Sequence, residues 1–446
     1  MRNPIVILHG WSDNSSSFKA LASFLQESFG DAVQPLYLAD WLSMHDDISY
    51  ADLADAMQNA WLALGLPTAP QSVDIVVHST GALVTRQWFT RYYSASTNPV
   101  KRFVQLAPAN FGSPLAHKGR SFYGRAVKGW NQPGFQTGAV VLTGLELASD
   151  YTRALAQQDL FADEAWYGAG KMLATVLIGD SGYSGISAIA NEAGSDGTVR
   201  ICGANLNCSY VSLALDPQQQ ILPGSLRWQQ SKGAIAFSIL AKENHSSIIF
   251  KGRKAPHNAL TQVFIRQALT VTDQDFQTDL SQNFAWQQQL NALNPPANYQ
   301  ADRRSQVLCR LTDQHAVGVS DYFLEMYRTA GADSRFEETL YRHFLRHVHA
   351  YSQDPSSRAF YFDLAVLARL KQDPKFQQLY FSFSAQPHFK PPRQPVGFTN
   401  VAANAAAGLV IQLADIDRFF APQQTLLLEV QLQRLVADSV FKLNRA

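Results

Sequence analysis

The sequence predicts an α/β domain with a mostly parallel sheet and helices on both faces, followed by an antiparallel β-sandwich. The first part contains short apolar runs that do not alternate with polar residues, and amphipathic helical segments separate them. Such runs are typical of parallel strands that helices bury on both faces. After residue 304, strand-like runs follow one another without long intervening helices, which favours a sandwich.

The elements of the α/β domain alternate along the first 271 residues. The strand-like runs are 4–10, 33–40, 73–78, 101–108, 172–180 and 234–245. The helix-like runs are 15–30, 50–66, the segment after Ser79, and 258–271. We assign residues 1–272 to this domain, with a cap inserted at about 108–145.

The remaining residues divide into a connector and a second domain. Residues 273–304 are rich in Gln and Asn and lack apolar periodicity, so we expect a connector there. Residues 305–446 form the predicted β-sandwich domain. Its strand-like runs are 306–312, 316–328, 359–370, 377–387, 408–416 and 425–436, and 336–351 fits helix or strand equally.

Composition excludes some classes of function. The chain has 446 residues, a net charge of +1 and 16% charged residues, so no overall field favours nucleic acid. The first apolar run, Ile5–Leu8, is too short for a signal peptide, so we expect a cytoplasmic protein, or one exported without a signal. The three cysteines have no metal-ligand spacing, which favours a reducing compartment and buried or inert thiols, and we expect no metal site. The sequence leaves the oligomeric state open.

One pentapeptide carries a chemical signal. In Val77-His78-Ser79-Thr80-Gly81, a strand ends at a serine and a helix begins immediately. A sharp turn at this place lifts a serine hydroxyl above the sheet, and Gly81 lets the helix pass close to the strand. Val77 stands where Gly or Ala is usual. The alternative is that Ser79 only caps the helix, so other residues must decide.

A nucleophilic serine needs a base, and the base needs an acid to orient it. His245 follows the last strand-like run of the first domain, where a loop can reach back over the strand ends. Two acids are candidates: Asp196 in Gly194-Ser195-Asp196-Gly197, and Asp180 at the end of a strand. Either aspartate could instead form only a turn.

The reaction also needs amides that stabilise a negative oxygen. One would come from Thr80, directly after the serine. The other would come from Trp11, because Gly10 allows the backbone to turn at the end of the first strand. These backbone amides are the predicted oxyanion hole.

Together, residues 4–271 resemble a lipase-type α/β-hydrolase. The resemblance rests on His9-Gly10, the elbow at Ser79, the segment 107–116, Asp196-Gly197 and His245, all in the order of the family. It favours Asp196 over Asp180, because the run Ser-Asp-Gly-Thr-Val resembles the acid loop of many lipases. It implies a serine hydrolase of acyl esters that needs no cofactor. The C-terminal domain resembles no family that we recognise.

The predicted cap combines basic and aromatic residues and has no acidic residue between positions 98 and 144. Its candidate substrate contacts are Lys118, Arg120, Phe122, Tyr123, Arg125 and Trp130. Such a surface suits anionic head groups and acyl chains, which suggests a phospholipid and peripheral membrane contact. A solvated basic loop is the alternative interpretation.

Two other functions remain open at this stage. An acyltransferase or a thioesterase could use the same three residues, since the acceptor depends on water access and pocket shape. A non-catalytic binding protein could retain the scaffold, because a fold alone does not establish an activity.

Overall fold

The computed structural model of the chain describes residues 2–8, 15–30, 33–36, 45–116, 138–184, 188, 191–279, 283–295, 303–328, 334–400 and 408–441. The chain divides into two compact units. The first comprises residues 1–207 and 231–302, and the second comprises 208–230 and 303–446.

The strands, in chain order, are β1 (Ile5–Leu8), β2 (Val33–Leu36), β3 (Val73–His78), β4 (Val100–Leu106), β5 (Leu173–Gly179), β6 (Cys208–Ala214), β7 (Arg227–Gln230), β8 (Ile235–Leu240), β9 (Arg304–Asp313), β10 (Tyr322–Tyr327), β11 (Leu345–Ala350), β12 (Ser357–Asp363), β13 (Gln378–Ala385), β14 (Val396–Gly397), β15 (Leu409–Gln412), β16 (Thr425–Leu432) and β17 (Leu435–Val436).

The α-helices are α1 (Lys19–Phe29), α2 (Tyr50–Ala63), α3 (Gly81–Tyr92), α4 (Ala139–Leu145), α5 (Asp150–Asp159), α6 (Ile201–Ala204), α7 (Ala259–Ala268), α8 (Ala285–Leu293), α9 (Ser334–Thr339), α10 (Leu364–Leu370) and α11 (Ile416–Phe419). Short 3-10 segments cover Ser15–Phe18, Ser247–Ile249, Gln274–Phe276, Leu413–Asp415 and Asp438–Val440, and a π-helical turn covers Leu340–Phe344.

The first unit contains a six-stranded parallel sheet in the order β2-β1-β3-β4-β5-β8. Every residue of β1, β3 and β5 is buried, as the apolar runs predicted. Successive residues of β4 face opposite sides, so Val104 packs in a core that includes α1, α7 and α8, whereas Phe103 meets Phe89 of α3. Helices therefore cover both faces of the sheet, which confirms the predicted fold class.

Helix starts in this unit have identifiable causes. Ser49 caps α2 with a capping box, because its hydroxyl accepts from the Asp52 amide while the Asp52 carboxylate accepts from the Ser49 amide. Ser149 caps α5 by accepting from the Thr152 amide. These caps define where the two helices begin.

The second unit is rich in β-structure. Its larger sheet has the order β11-β12-β9-β16-β6-β7, and a three-stranded antiparallel sheet has the order β10-β13-β15. Side chains from both sheets form one core, which includes Val307 and Phe360 from the larger sheet and Phe381, Phe383 and Ile411 from the smaller. This arrangement is the predicted sandwich.

The larger sheet is mixed instead of wholly antiparallel. Strand β16 runs parallel to both β9 and β6, while β11, β12 and β9 pair antiparallel. Strand β16 lies between β9 and β6, so the two parallel pairs share this one strand.

The observed boundaries differ from the predicted division at 272 and 304. Residues 208–230 belong to the second unit, since β6 pairs with β16. Residues 273–302, expected to be a connector, belong to the first unit and include α8. Trp286 of α8 is almost fully buried and donates to the Thr175 hydroxyl at 3.0 Å, which attaches α8 to β5.

One segment predicted as a single strand contains a strand followed by a helix. Residues 359–370 contain the end of β12 and then α10, because the Asp363 carboxylate accepts from the Ala365 amide at 3.0 Å and caps the helix. The ambiguous segment 336–351 contains parts of both types, namely α9, the π-helical turn and β11. Among the described residues, no helix is both long and apolar enough to cross a membrane.

Candidate active site

Strand β3 ends in a sharp turn at Ser79. The residue has φ 55°, a left-handed backbone that is rare for residues other than glycine, and α3 begins two residues later. Hydrogen bonds hold the turn: the Ser79 amide donates to Leu106 O at 3.2 Å, and Ser79 O accepts from the amides of Ala82 and Ala109. Such backbone strain costs about 1–3 kcal/mol and clusters at functional sites.

The departure at Val77 does not prevent this turn. Val77 is 1% exposed and sits in the ladder between Leu8 of β1 and Gln105 of β4. Its side chain therefore belongs to the sheet's buried layer.

The structure brings Ser79, His245 and Asp196 into one chain of hydrogen bonds. His245 Nε2 lies 3.0 Å from Ser79 Oγ, and His245 Nδ1 lies 2.8 Å from Asp196 Oδ2. A carboxylate only accepts, so Nδ1 donates to Asp196 and Nε2 of the neutral ring accepts from the serine hydroxyl. Ser79 and His245 keep 7% and 8% of their surface exposed, whereas Asp196 is fully buried, so only the first two can meet a substrate.

The acid loop holds Asp196 in place. Its second oxygen accepts from the amides of Thr198 at 2.9 Å and Val199 at 2.8 Å. The Asp196 carbonyl accepts from the His245 amide at 3.0 Å, so the two residues are joined through backbone and side chain. This loop also reaches the segment after β4, because the Ser113 hydroxyl donates to Thr198 O at 2.6 Å.

Asp180 makes different contacts. Its Oδ1 accepts from the Lys242 amide at 2.8 Å and from the Ser181 hydroxyl at 3.1 Å. Asp180 therefore fixes the turn after β5 to the start of the His245 loop, and Asp196 is the carboxylate that contacts the imidazole.

A buried acid that the sequence did not single out holds the His245 loop. Glu243 is fully buried and accepts from the Asn258 amide at 2.7 Å and the Thr261 hydroxyl at 2.8 Å, and also from the Ser247 hydroxyl. These contacts join the loop to the start of α7. A single sequence contains no periodic signal for such a role.

Helix α3 is anchored by a buried ion pair. Arg86 donates from Nε and Nη2 to the two oxygens of Asp159 at the end of α5, at 2.7 and 2.8 Å. Burial alone would lower the pKa of Arg86, but the carboxylate of Asp159 outweighs it and raises that pKa. Tyr167 also donates to Asp159, and burial raises the pKa of its phenol.

Several predicted site residues lie outside the described residues. These are Trp11 of the predicted oxyanion hole and the cap residues Lys118, Arg120, Phe122, Tyr123, Arg125 and Trp130. Thr80 is described: it is 3% exposed and directly precedes α3, at the positive end of that helix. Among the described residues, no group of three or more His, Cys, Asp or Glu could hold a metal ion.

All three cysteines are buried, and Cys202 is unsuited to act as a nucleophile. Burial raises the pKa of the Cys202 thiol to about 12, so this thiol stays protonated at neutral pH.

Comparisons with known proteins agree with this architecture. Residues 5–181 match the alpha/beta hydrolase family. The first unit has the α/β-hydrolase fold. The chain is also similar to two structures of phospholipase PlaB from Legionella pneumophila, one of them in complex with thio-NAD.

The similarity to PlaB extends over both units. The complex with thio-NAD has a TM-score of 0.79 and 22% identity, over 99% of this chain and 96% of that chain. The other structure has a TM-score of 0.80 and 21% identity, over 100% of this chain and 96% of that chain. At this identity the likeness shows a shared fold. A search of curated protein sequences finds no match.

Proposed function

We propose that the protein is a serine carboxylester hydrolase of the lipase or phospholipase type. The observation that supports it is the chain of hydrogen bonds from Ser79 Oγ through His245 to Asp196, at 3.0 and 2.8 Å. In this proposal Ser79 is the nucleophile, His245 the general base and Asp196 the residue that orients the imidazole and stabilises its cation. The position of Ser79 at a strained turn before α3 agrees with this role.

The reaction would proceed through an acyl-enzyme. His245 Nε2 takes the proton of the Ser79 hydroxyl while Oγ attacks the carbonyl carbon of the ester. The tetrahedral intermediate then expels the alcohol, which leaves with the proton from Nε2. Water next attacks the acyl group and gives a proton to Nε2, and that proton returns to Ser79 as the carboxylic acid is released.

The negative oxygen of each tetrahedral intermediate needs amide donors. The Thr80 amide is one candidate, since it follows the nucleophile at the N-terminus of α3. The Trp11 amide is the second candidate. The three side chains and both candidate amides belong to the first unit.

The proposed substrate is a lipid with an acyl ester bond, and phospholipid is the first choice. The full-length likeness to a protein named phospholipase motivates this choice. The basic and aromatic composition of the predicted cap supports it, because cationic groups suit phosphate and aromatic rings suit the membrane interface.

Two measurements on the full chain test the proposal. The first is labelling of the wild type, Ser79→Ala and Ser96→Ala by a fluorophosphonate, which reacts with activated serines. Ser96 is exposed and outside the site, so its variant controls for the loss of a hydroxyl. We expect the wild type and Ser96→Ala to react and Ser79→Ala to stay unlabelled.

The second measurement is release of fatty acid from phosphatidylcholine vesicles and from p-nitrophenyl esters of increasing chain length. We expect Ser79→Ala to lose at least about a thousandfold in kcat. A folded wild type that neither reacts with the label nor cleaves any of these esters would overturn the proposal. Cleavage of short esters alone would retain the hydrolase and overturn the lipid substrate.

A further inference from the structure

His78 connects the Ser79 turn to the loop of His245. It is the last residue of β3 and is 2% exposed. Its Nε2 lies 2.9 Å from the main-chain oxygen of His245, and the two imidazole rings lie 4.5 Å apart between centroids. His78 therefore contacts both the backbone and the ring of the proposed base.

The hydrogen bond fixes the protonation of one nitrogen. A carbonyl oxygen only accepts, so Nε2 of His78 carries the hydrogen. Phe18 also packs edge-on against the His78 ring, with centroids 5.8 Å apart. The ring is buried, and its Nε2 donor points at the His245 loop.

The imidazole of His245 is otherwise held within its own plane. Asp196 accepts from Nδ1 and Ser79 contacts Nε2, and both contacts lie at the ring edge. The His78 ring lies against the imidazole of His245, with centroids 4.5 Å apart and ring planes tilted by 47°, and so limits how far that imidazole can shift.

We propose that His78 is a positioning residue for His245. Its hydrogen bond holds the backbone that carries the base, and its ring limits the tilt of the imidazole towards Ser79. The inference rests on the proposed function, because it assigns a partner to the proposed base. His78 directly precedes Ser79 in the sequence. The turn that positions the proposed nucleophile therefore also positions the imidazole that contacts the proposed base.

Three variants of His78 test the inference on the full chain. His78→Gln keeps an N–H donor three bonds from Cβ, as in the histidine Nε2, whereas the amide nitrogen of His78→Asn is one bond shorter. His78→Phe keeps a ring and removes the donor. Phe18→Leu loosens the packing around His78 without removing the hydrogen bond, so it controls for packing alone.

The readouts are the rate of fluorophosphonate labelling of Ser79, kcat and KM for p-nitrophenyl butyrate, and the Tm of each variant. We expect His78→Asn and His78→Phe to lose on the order of 10- to 100-fold in labelling rate and kcat, with KM unchanged, because a small misplacement of a reacting group has costs of this size. We expect His78→Gln to stay within about fivefold of the wild type, on the same reasoning.

Each other result has a separate meaning. An inert wild type would overturn the proposed function and this inference with it. If the wild type is reactive but His78→Gln and His78→Asn have equal rates, this inference alone is overturned. The comparison of these two variants tests the inference even if His78→Phe does not fold. A loss in Phe18→Leu as large as in His78→Asn would assign the effect to packing and also overturn it.

Discussion

Arg86 and Asp159 form a two-point ion pair in which both side chains are fully buried. The pair joins the helix that follows Ser79 to the end of α5. Arg86 Nη1 also lies 3.4 Å from the side-chain oxygen of Asn110, in the loop after β4, and Asn110 donates to Gln105 and Ala204. These polar contacts therefore tie α3 to α5 and to the loop after β4.

Removing one member of this pair should be costly. Arg86→Met leaves the Asp159 carboxylate buried without its cation, and Asp159→Asn leaves the guanidinium without its anion. We expect each variant to lower the free energy of unfolding by about 3–5 kcal/mol, because a buried charge loses its partner. Denaturant unfolding of the full chain measures this loss.

The exposed pair of Arg91 and Asp55 provides a matched control on the same helix. Their side chains are 44% and 41% exposed, and Arg91→Met should therefore have a much smaller effect than Arg86→Met. Equal effects of the two substitutions would contradict the special role of the buried pair.

Asp196 and Asp180 should differ strongly in their effect on activity. Asp196→Asn replaces the acceptor for His245 Nδ1 by an amide that can rotate its donor towards the ring and favour the wrong tautomer. We expect kcat to fall by about three to four orders of magnitude with KM little changed. Asp180→Asn alters only the turn after β5, so kcat should stay within about threefold.

Steady-state kinetics with p-nitrophenyl esters measures both variants, and the Tm of each shows whether it is folded. The assignment of Asp196 fails if Asp180→Asn loses more activity than Asp196→Asn. It also fails if both retain the wild-type rate.

The parallel sheet could be predicted because its signal is local. Buried runs such as β3 and β5 are short and apolar, and a strand that enters a helix at a serine is a feature of neighbouring residues. The closeness of His245 to Ser79 also follows from topology, since loops at the carboxyl ends of parallel strands share one edge of the sheet.

The predicted domain boundaries were wrong because they depend on contacts between distant parts of the chain. Residues 208–230 belong to the second unit, and β6 in this segment pairs with β16, more than 200 residues later. No local pattern specifies a partner at that separation. Buried polar contacts such as those of Glu243 and His78 have the same origin, because each connects the His245 loop to another element that only the folded chain brings close.

Gly197 should be sensitive to substitution because it combines two constraints beside Asp196. Its φ is +92°, and a Cβ there would lie 2.8 Å from Cδ2 of Tyr183. Tyr183 cannot yield freely, since its backbone exchanges two hydrogen bonds with Asn191 at 2.7 Å and its hydroxyl lies 3.0 Å from that of Thr198. An added methyl group would therefore displace the acid loop instead of the tyrosine.

We expect Gly197→Ala to lower the free energy of unfolding by about 1–3 kcal/mol through strain and to reduce kcat with KM unchanged, as Asp196 moves from His245. Gly252→Ala is the matched control in the same unit, because Gly252 has φ +68° but no atom within 4 Å of the added Cβ. It should lose stability through backbone strain and keep its activity.

If both variants lost activity equally, backbone strain alone would explain the effect. If the double variant Gly197→Ala with Tyr183→Ala recovered kcat relative to Gly197→Ala, the contact with Tyr183 would be the cause, since the double variant lacks the ring that the added Cβ would meet.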